Sequence, residues 1–297
     1  MGTSEPEGRG LAWTEERGTS DEGRRGLEAA RRRADGSVTI GLLHPGEMGA
    51  AVGQCLAGAG YRVLWAPEGR SAATGERADA AGLERCGLAE IPARSDVIVS
   101  VCPPASALDV ARQISGFGGL YLDANAISPA TAGEVAEIVT AGGASYVDGG
   151  IIGTPPVTPG FIRLYLSGDR AGEVRALFAG TAVDARLVEP PGTASAVKMA
   201  YASWTKGSAA LLLTARALAR AEGVESALLE EWGISQPGLE RRSAAASESA
   251  AAKGWRWVGE MEEIAAAMAA AGLPEGFHRA AAEIYRRYQQ QPRRSDR

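Results

Sequence analysis

The chain has 297 residues, of which 45% are hydrophobic and 23% charged, a composition typical of globular proteins that excludes collagen-like and disulfide-scaffold chains. This length predicts two domains, because single domains usually run to roughly 100–200 residues. The formal net charge of −5 provides no overall positive charge for nucleic acid, and we expect none as a partner. Lysine is scarce, since the 31 basic residues include only Lys198, Lys206 and Lys253 as lysines.

The three cysteines, Cys55, Cys86 and Cys102, follow no CxxC or Cys/His spacing. The sequence therefore predicts neither a disulfide framework nor a metal site, and free thiols favour the cytoplasm. Because the sequence contains neither a signal-like start nor a run of about 18 apolar residues, we expect no export and no membrane span.

The two ends of the chain lack the patterns of folded elements. Residues 1–36 are rich in Gly, Glu and Arg without sustained apolar periodicity, which predicts a disordered tail. Within this tail, Gly26–Arg33 is interpreted as a solvated charge run or a short helix. The Gln-rich, basic end predicts a frayed tail over residues 289–297.

From Val38 onward, short β-branched runs alternate with Ala-rich helical stretches. This alternation predicts right-handed β-α-β crossovers and an α/β fold, with a doubly wound parallel sheet, over residues 37–191. The predicted strands are Val38–Leu43, Arg62–Trp65, Val97–Cys102, Leu120–Asp123, Tyr146–Val147 and Arg163–Ser167. The predicted helices are Gly49–Ala59, Ala107–Ile114, Thr131–Ala141 and Glu173–Phe178.

Strand signals end at Pro190-Pro191-Gly192, and residues 192–288 have the pattern of an all-helical domain. Thr193–Glu222 predicts one long helix between the two domains, ended by Gly223. The further predicted helices are Ser226–Trp232, Pro237–Ala252, Trp255–Ala271 and Glu275–Tyr288.

The first predicted strand runs into a glycine-containing turn that opens the first helix, Gly41-Leu-Leu-His44-Pro45-Gly46-Glu47-Met48-Gly49. In such a turn, backbone N–H groups and the helix dipole bind the pyrophosphate of a dinucleotide. Gly46 and Gly49 take the second and third glycine positions of G-x-G-x-x-G, whereas His44 stands at the first. The alternative is a plain strand-to-helix turn without a ligand.

The end of the second strand distinguishes the two nicotinamide cofactors. An acidic side chain there binds the 2′-hydroxyl of NAD, and an arginine binds the 2′-phosphate of NADP. Arg70 and Ser71 favour NADP, while Glu68 keeps NAD open.

These features resemble the β-hydroxyacid dehydrogenase superfamily, which includes 3-hydroxyisobutyrate dehydrogenase, 6-phosphogluconate dehydrogenase and the imine reductases. The likeness covers about residues 38–288. It is strongest to an uncharacterised branch of NAD(P)-binding phosphogluconate-dehydrogenase-like proteins with a distinctive C-terminal domain. The resemblance implies a Rossmann domain, a long interdomain helix, a helical substrate and dimerisation domain, and a homodimer that exchanges helices between subunits.

The resemblance also implies roles for motifs in the Rossmann half. The family's Leu-Pro beside the cofactor matches Cys102-Pro103, and its D-x-S-T-x-x-P motif matches Asp123–Pro129, with Asn125 at the serine position. Its substrate loop matches Asp148–Thr154, which implies substrate contacts at Ile152, Gly153 and Thr154. The serine that binds the substrate carboxylate in the family is Ile152 here.

The family's catalytic motif, K-x-x-x-N on the long helix, appears with Lys198 retained and Ala202 in place of asparagine. Independently, Lys198 stands among small and apolar residues, so it either reaches solvent or lies in a cleft with a lowered pKa, as a general acid or base. Helical spacing places Tyr201 and Thr205 on the same face, so Tyr201 could share the proton.

The family's later K-D pair falls on Gly259-Glu260, where the acid is kept and the lysine is lost. Trp257 and Glu260 share a helical face with Met261 and Ile264, and a carboxylate beside Trp and Met is costly unless it meets a partner or substrate. This face is either core or a pocket wall contributed to a neighbouring subunit. We expect His278 on a helix surface, and Lys206 and Lys253 in solvent.

The sequence therefore predicts an NADP-preferring oxidoreductase that transfers hydride between nicotinamide and a small-metabolite carbonyl or alcohol, or imine or amine, with Lys198 as general acid or base. One alternative is a decarboxylating dehydrogenase of the 6-phosphogluconate type. Against it, we find no Arg/Lys cluster near the Lys198 helix to hold a phosphate. Another is a non-catalytic NADP(H) sensor, which the missing serine and asparagine favour.

Overall fold

The computed structural model describes residues 38–155 and 159–290. The predicted tail over residues 1–36, with Gly26–Arg33, therefore lies outside the described residues, as does the end from residue 291 onward. The last helix continues to Gln290, so the first two residues of the predicted frayed tail are helical. Within the described ranges, no helix has the length and apolar character needed to cross a membrane.

Eight strands form one sheet in the order β3-β2-β1-β4-β5-β6-β7-β8. The predicted doubly wound α/β fold is confirmed. The sheet is not wholly parallel, however, because β6 and β7 pair antiparallel; their connection is too short for a crossover helix. The strands are β1 Thr39–Leu43, β2 Arg62–Trp65, β3 Glu84–Arg85, β4 Val97–Ser100, β5 Leu120–Asp123, β6 Ser145–Gly153, β7 Ile162–Ser167 and β8 Val183–Leu187.

Helices pack on both faces of this sheet, over two clusters of buried apolar side chains. The edge strands β3 and β8 and the helices Ala72–Ala80 and Ile91–Arg94 were not predicted from the sequence. Edge strands and their neighbouring helices bury few side chains, so they lack the apolar runs that mark central elements. The helices are α1 Glu47–Gly58, α2 Ala72–Ala80, α3 Ile91–Arg94, α4 Ala107–Gln113, α5 Pro129–Ala141 and α6 Ala171–Leu177.

The C-terminal region is helical, as predicted, with α7 Ala194–Ala221, α8 Glu225–Ser235, α9 Leu239–Ala270 and α10 Gly276–Gln290. The prediction of two helices over Pro237–Ala252 and Trp255–Ala271 is wrong, because α9 is continuous through Gly254. A Cβ at Gly254 would lie 3.7 Å from the Tyr285 carbonyl oxygen, so α10 packs closely there, and tertiary packing outweighs the weak helix propensity of glycine.

The prediction that His278 lies on a helix surface is also wrong, because this residue is buried, with an exposed fraction of 6%. It packs edge-on against Phe277 and faces Gly207 of α7, where a Cβ would lie 3.4 Å from its Nε2 atom. The missing side chain at Gly207 therefore makes room for the imidazole, a complementarity between distant residues that helical periodicity does not reveal.

One polar contact fastens α9 to the Rossmann part. The Glu263 carboxylate of α9 accepts hydrogen bonds from the Ser128 backbone N–H at 2.7 Å and the Thr131 hydroxyl at 2.8 Å. These donors belong to the start of α5, whose exposed N–H groups and positive dipole end attract a carboxylate. The contact holds α9 against the carboxyl ends of the strands.

Candidate functional site

Two adjoining cavities lie between the carboxyl ends of the strands and the helices α7 and α9. One, of about 360 Å³, is lined by Lys198, Lys206 and Lys253, and we call it the lysine cavity. The other, of about 470 Å³, is lined by His44, by residues 46–49 of the turn and by Arg70, and we call it the turn cavity. The cavities share lining residues: Glu47, Met48, Val101, Cys102, Lys253 and Arg256.

The turn after β1 keeps the backbone of a glycine motif although its first glycine is replaced. His44 has φ 66, a left-handed conformation that non-glycine residues rarely adopt. A Cβ at Gly49 would lie 2.3 Å from the His44 carbonyl oxygen, so this position requires glycine. Burial, followed by the charge of Arg70, lowers the pKa of His44 to about 4, which keeps the imidazole neutral at pH 7.

The start of α1 has the features of an anion site. Among the described residues, no side chain caps its N-terminus, and no heavy atom lies within 4 Å of a Cβ built on Gly46. The first N–H groups of the helix are thus open to a ligand, and the helix dipole favours a negative one. Glu47 in the first turn opposes this field, but Lys253 lies 3.5 Å from its carboxylate.

Arg70 and Arg77 converge on the far end of the turn cavity, together with Ser71 and Thr74. In the described part of the chain, the Nε atoms of both arginines are buried without a hydrogen-bond partner. Arg77 donates to the Thr74 hydroxyl at 3.1 Å, which aligns its guanidinium with the cavity. Buried unsatisfied donors are costly, so this group fits an anionic acceptor.

Glu68, the residue that kept NAD open, points elsewhere. Its carboxylate accepts a hydrogen bond from the Leu88 backbone N–H at 3.1 Å, across the loop after β3. It therefore serves a turn instead of lining the cavity. Arg77 and Thr74 were not predicted as site residues, because the polar helix α2 that carries them was not predicted.

The lysine cavity depends on how α7 begins. The Ser167 hydroxyl of β7 accepts hydrogen bonds from the backbone N–H groups of Gly192, Thr193 and Ala194 at 3.0–3.2 Å. It donates to the Asp148 carboxylate, which also accepts the Ser195 N–H at 3.0 Å. These contacts satisfy four backbone donors at the start of α7 and α7 cannot shift without breaking them.

Lys198 lies one turn further along α7, against β6. A Cβ at Gly150 would lie 2.5 Å from the Ala194 carbonyl oxygen and 3.0 Å from the Lys198 Cβ, so glycine allows the helix to approach the strand. The Lys198 Nζ donates to the Ile151 carbonyl oxygen at 2.8 Å. Burial first, and then the positive charge of Lys206, lower the pKa of Lys198 to about 8.

The predicted solvation of Lys206 is wrong. Its side chain is 15% exposed, and its Nζ lies 2.6 Å from the Glu260 carboxylate, which is 5% exposed. Arg256 lies 3.8 Å from the same carboxylate. The sequence analysis found no Arg/Lys cluster near the Lys198 helix that could hold a phosphate. The structure contains such a cluster, because Lys206 of α7 and Lys253 and Arg256 of α9 line the same cavity.

Trp257 lines the cavity beside this ion pair, and its ring centre lies 5.9 Å from the Lys206 Nζ. Two other residues of the predicted face, Met261 and Ile264, are buried in the helical core instead. This face is thus partly core and partly the wall of a cavity in its own chain. The alternative in the prediction assigned the wall to a neighbouring subunit, which the single chain does not test.

Most predicted site residues line one of the two cavities. In the lysine cavity they are Glu47, Met48, Cys102, Asn125, Gly153, Thr154, Lys198, Thr205, Trp257 and Glu260. In the turn cavity they are His44, Gly46, Glu47, Met48, Gly49, Arg70, Ser71, Cys102 and Pro103.

Four predicted site residues lie elsewhere. Tyr201 is 45% exposed at the outer surface of α7, so the structure does not bring it to Lys198. Ile152 is buried and Ile151 lines the cavity instead, because β6 extends to Gly153 and strand residues alternate between faces. Pro45 is buried outside the lining. A Cβ at Gly41 would lie 2.7 Å from the Ile91 side chain, so Gly41 serves the packing of α3.

Asn125 fastens the loops after β4 and β5. Its side-chain oxygen accepts the Cys102 backbone N–H at 2.6 Å, and its amide donates to the Ser100 hydroxyl at 3.1 Å. Beneath it, burial raises the pKa of Asp123 to about 7. In the described residues, no group of three or more His, Cys, Asp or Glu side chains is arranged to hold a metal ion.

Comparisons with known proteins agree with this architecture. Residues 219–288 match the model of DUF1932, a domain of unknown function. An uncharacterized 28.5 kDa protein in the 7S RNA 5′ region of Methanothermus fervidus is 32% identical over 138 residues. That match covers 46% of this chain and 53% of the relative, about half of its length.

Two solved structures are similar to most of this chain. A conserved protein of unknown function, described as structurally similar to 3-hydroxyacid dehydrogenases, is 26% identical, with a TM-score of 0.61 over 85% of this chain and 97% of its own. A reductive aminase from Aspergillus terreus, solved with NADPH and ethyl levulinate, is 21% identical, with a TM-score of 0.53 over 84% and 93%. The chain therefore has the fold of the 3-hydroxyacid dehydrogenase-like NAD(P)-binding proteins, followed by a C-terminal domain that matches DUF1932.

Proposed function

We propose that the protein is an NADP(H)-dependent oxidoreductase acting on a small-metabolite carbonyl or alcohol, or imine or amine, with Lys198 as general acid or base. The observation that carries this proposal is the position of Lys198, whose amine faces a cavity that adjoins the turn cavity. When bound, the cofactor supplies or accepts a hydride.

The residues of the turn cavity fit the two charged parts of NADP(H). The open N–H groups of α1 and the glycines Gly46 and Gly49 would hold the pyrophosphate. Arg70 and Arg77, with their unsatisfied buried donors, would hold the 2′-phosphate. The Glu68 carboxylate accepts a hydrogen bond from the Leu88 backbone N–H instead of facing the cavity, so no contact of Glu68 with the 2′-hydroxyl of NAD is supported, which favours NADP.

Lys198 would give a proton to the substrate oxygen or nitrogen in reduction and take one in oxidation. A pKa of about 8 places both protonation states within reach at neutral pH. Apolar side chains from Met48, Ile151 and Trp257 would limit the entry of water around the reacting group. Thr205, Gly153, Thr154 and Asn125 supply the remaining polar surface against which a substrate would lie.

A substrate screen tests this proposal. NADPH oxidation would be followed with ketones, aldehydes and ketone–amine mixtures, and NADP⁺ reduction with hydroxy acids. Lys198→Met should lose turnover on any active substrate while NADPH fluorescence still reports binding. Full turnover by this variant would contradict the role of Lys198. Tight NADPH binding without turnover across the panel would favour a sensor of NADP(H).

A decarboxylating dehydrogenase acting on a sugar acid phosphate is a second candidate. The cations of the lysine cavity, Lys206, Lys253 and Arg256, favour it, because they could receive a phosphate or carboxylate. Release of CO₂ with a sugar acid phosphate and NADP⁺ would identify this activity.

We also infer a homodimer in the cytoplasm, with α7 at the interface. Trp204, Leu211 and Leu218 follow one another at intervals of seven residues and are 68%, 57% and 62% exposed. Residues at this interval share one helix face, and a continuous exposed apolar face is typical of an interface. A helix of the partner subunit packed on this face would correspond to the exchange of helices between subunits that the family resemblance implies.

The proposed location in the cytoplasm rests on a separate observation. All three cysteines are free thiols, which a reducing compartment favours.

A further inference from the structure

All three lysines of the chain line one cavity, although arginine provides every other basic residue of the sequence. Arginine remains charged at any ordinary pH, whereas the lysine amine gains and loses its proton when its surroundings change. The concentration of lysine here therefore indicates a site where protonation matters, and it raises the question of what Lys206 contributes.

Lys206 is held in one place by three contacts. Its Nζ lies 2.6 Å from the Glu260 carboxylate and 5.9 Å from the centre of the Trp257 ring. Its carbonyl oxygen accepts a hydrogen bond from the Tyr285 hydroxyl at 2.6 Å, which fixes the backbone of α7 at this point. Trp257 packs edge-on against Tyr285 with ring centres 5.1 Å apart.

Glu260 is buried, and the negative charge of its carboxylate raises the pKa of Lys198. A buried carboxylate seeks a cation, and a lysine that becomes its counter-ion is held in the protonated form. In the structure, Lys206 and Arg256 pair with the Glu260 carboxylate instead of Lys198. Lys198 is left with the neutral carbonyl oxygen of Ile151 as its partner.

We propose that Lys206 is a positioning residue, which neutralises Glu260 and so leaves Lys198 free to exchange its proton. The charges around Lys198 act in both directions: Lys206 and Arg256 lower its pKa, and Glu260 raises it. Glu47 of α1 and Lys253 of α9 complete the charged lining, and they lie against each other at 3.5 Å. A role of the Lys206–Glu260 pair in catalysis rests on the proposed function. The influence of this pair on the protonation of Lys198 does not depend on it.

The scarcity of lysine allows a direct test. In full-length protein labelled with ¹³C-lysine, three side-chain signals can be followed by NMR as the pH is raised, and Lys198→Met assigns one of them. In the wild type we expect the Lys198 signal to titrate near pH 8. In Lys206→Met the midpoint should rise by about one pH unit or more, because Lys198 loses a neighbouring positive charge and Glu260 loses the nearer of its two counter-ions.

Three variants separate charge from structure. Lys206→Arg keeps the positive charge, and its midpoint should stay near that of the wild type. The double variant Lys206→Met/Glu260→Gln removes both charges, so the Lys198 midpoint should fall from its raised value in Lys206→Met back toward that of the wild type. Lys253→Met removes a half-exposed lysine from the same cavity and should change the midpoint little.

An unchanged Lys198 midpoint in Lys206→Met would overturn the proposal, as would an equal shift in Lys206→Arg. If Lys206→Met does not fold, Lys206→Gln retains an N–H donor for Glu260 without the charge and must show the same rise. The titration uses neither substrate nor cofactor. An absence of turnover alongside the expected shifts would therefore reject the proposed oxidoreductase and leave the role of Lys206 standing.

Discussion

The Lys198 Nζ donates to the Ile151 carbonyl oxygen at 2.8 Å and so joins the start of α7 to the end of β6. This acceptor carries no formal charge, so it offsets only part of the cost of placing an ammonium group in a partly buried site. The amine is thus presented to the lysine cavity at some cost in stability, as is common for functional residues.

Replacing Lys198 should stabilise the fold. The pKa of Lys198 falls from 10.5 to about 8 on folding, so the folded state carries the full cost of the charged amine below pH 8. Between pH 8 and 10.5 the unfolded state binds more protons, and this cost disappears as the pH rises. Lys198→Met should gain up to about 3 kcal/mol at pH 7, and less at pH 10.

Chemical denaturation of both proteins at pH 7 and pH 10 measures this difference. Lys253→Met is the matched control, because the Lys253 side chain is 43% exposed and should show no comparable gain. Equal stabilities of Lys198→Met and wild type at pH 7 would mean that the amine is not strained by burial.

Arg77 should decide the preference between the two nicotinamide cofactors. Its removal takes away a charged donor that fits a 2′-phosphate, so Arg77→Met should weaken NADPH binding by about tenfold or more and leave NADH binding unchanged. Arg70 is the less selective target, because its charge also lowers the pKa of His44.

Fluorescence titration with each cofactor measures these affinities. Glu68→Gln is the control and should leave the preference unchanged, since the Glu68 carboxylate contacts the Leu88 backbone. A wild-type preference for NADH would reject the proposed phosphate site.

Gly46 and Gly49 should fail in different ways when changed to alanine. A Cβ at position 49 meets the His44 carbonyl oxygen at 2.3 Å, so Gly49→Ala should destabilise the fold by about 1–3 kcal/mol. Gly46 has φ −66 and open space around it, so Gly46→Ala should fold normally and bind NADPH less tightly. Thermal unfolding and cofactor titration of both variants distinguish the two effects, and equal cofactor binding by Gly46→Ala and wild type would argue against a pyrophosphate here.

The apolar face of α7 should control the oligomeric state. Trp204→Glu/Leu211→Glu places two charges on side chains that are exposed in the single chain. If the wild type is the proposed dimer, this variant should be a folded monomer. Light scattering coupled to size-exclusion chromatography measures the mass. Ile234→Glu on α8, where the side chain is 73% exposed, should leave the mass unchanged. A double variant that remains dimeric would place the interface elsewhere.

The fold class and the elements with a strong local pattern could be predicted from the amino-acid sequence alone. The buried central strands are apolar β-branched runs, and the turn from Gly41 to Gly49 indicated where we propose that the cofactor binds, because its glycines and the following helix are local signals. Lys198 stood out for the same reason, as a lysine within an apolar stretch of helix.

Which side chains come into contact depends on the packing of elements that are distant in the sequence. Lys206 and Glu260 are far apart in the chain, and their pairing depends on the crossing of α7 and α9, which periodicity along one helix cannot specify. Ile152 does not line the cavity because β6 continues to Gly153, and within a strand its side chain points to the face opposite to that of Ile151 and Gly153. Arg77 lines the turn cavity because it lies on α2, a polar helix near the edge of the sheet. The position of α2 is fixed by packing against its neighbours.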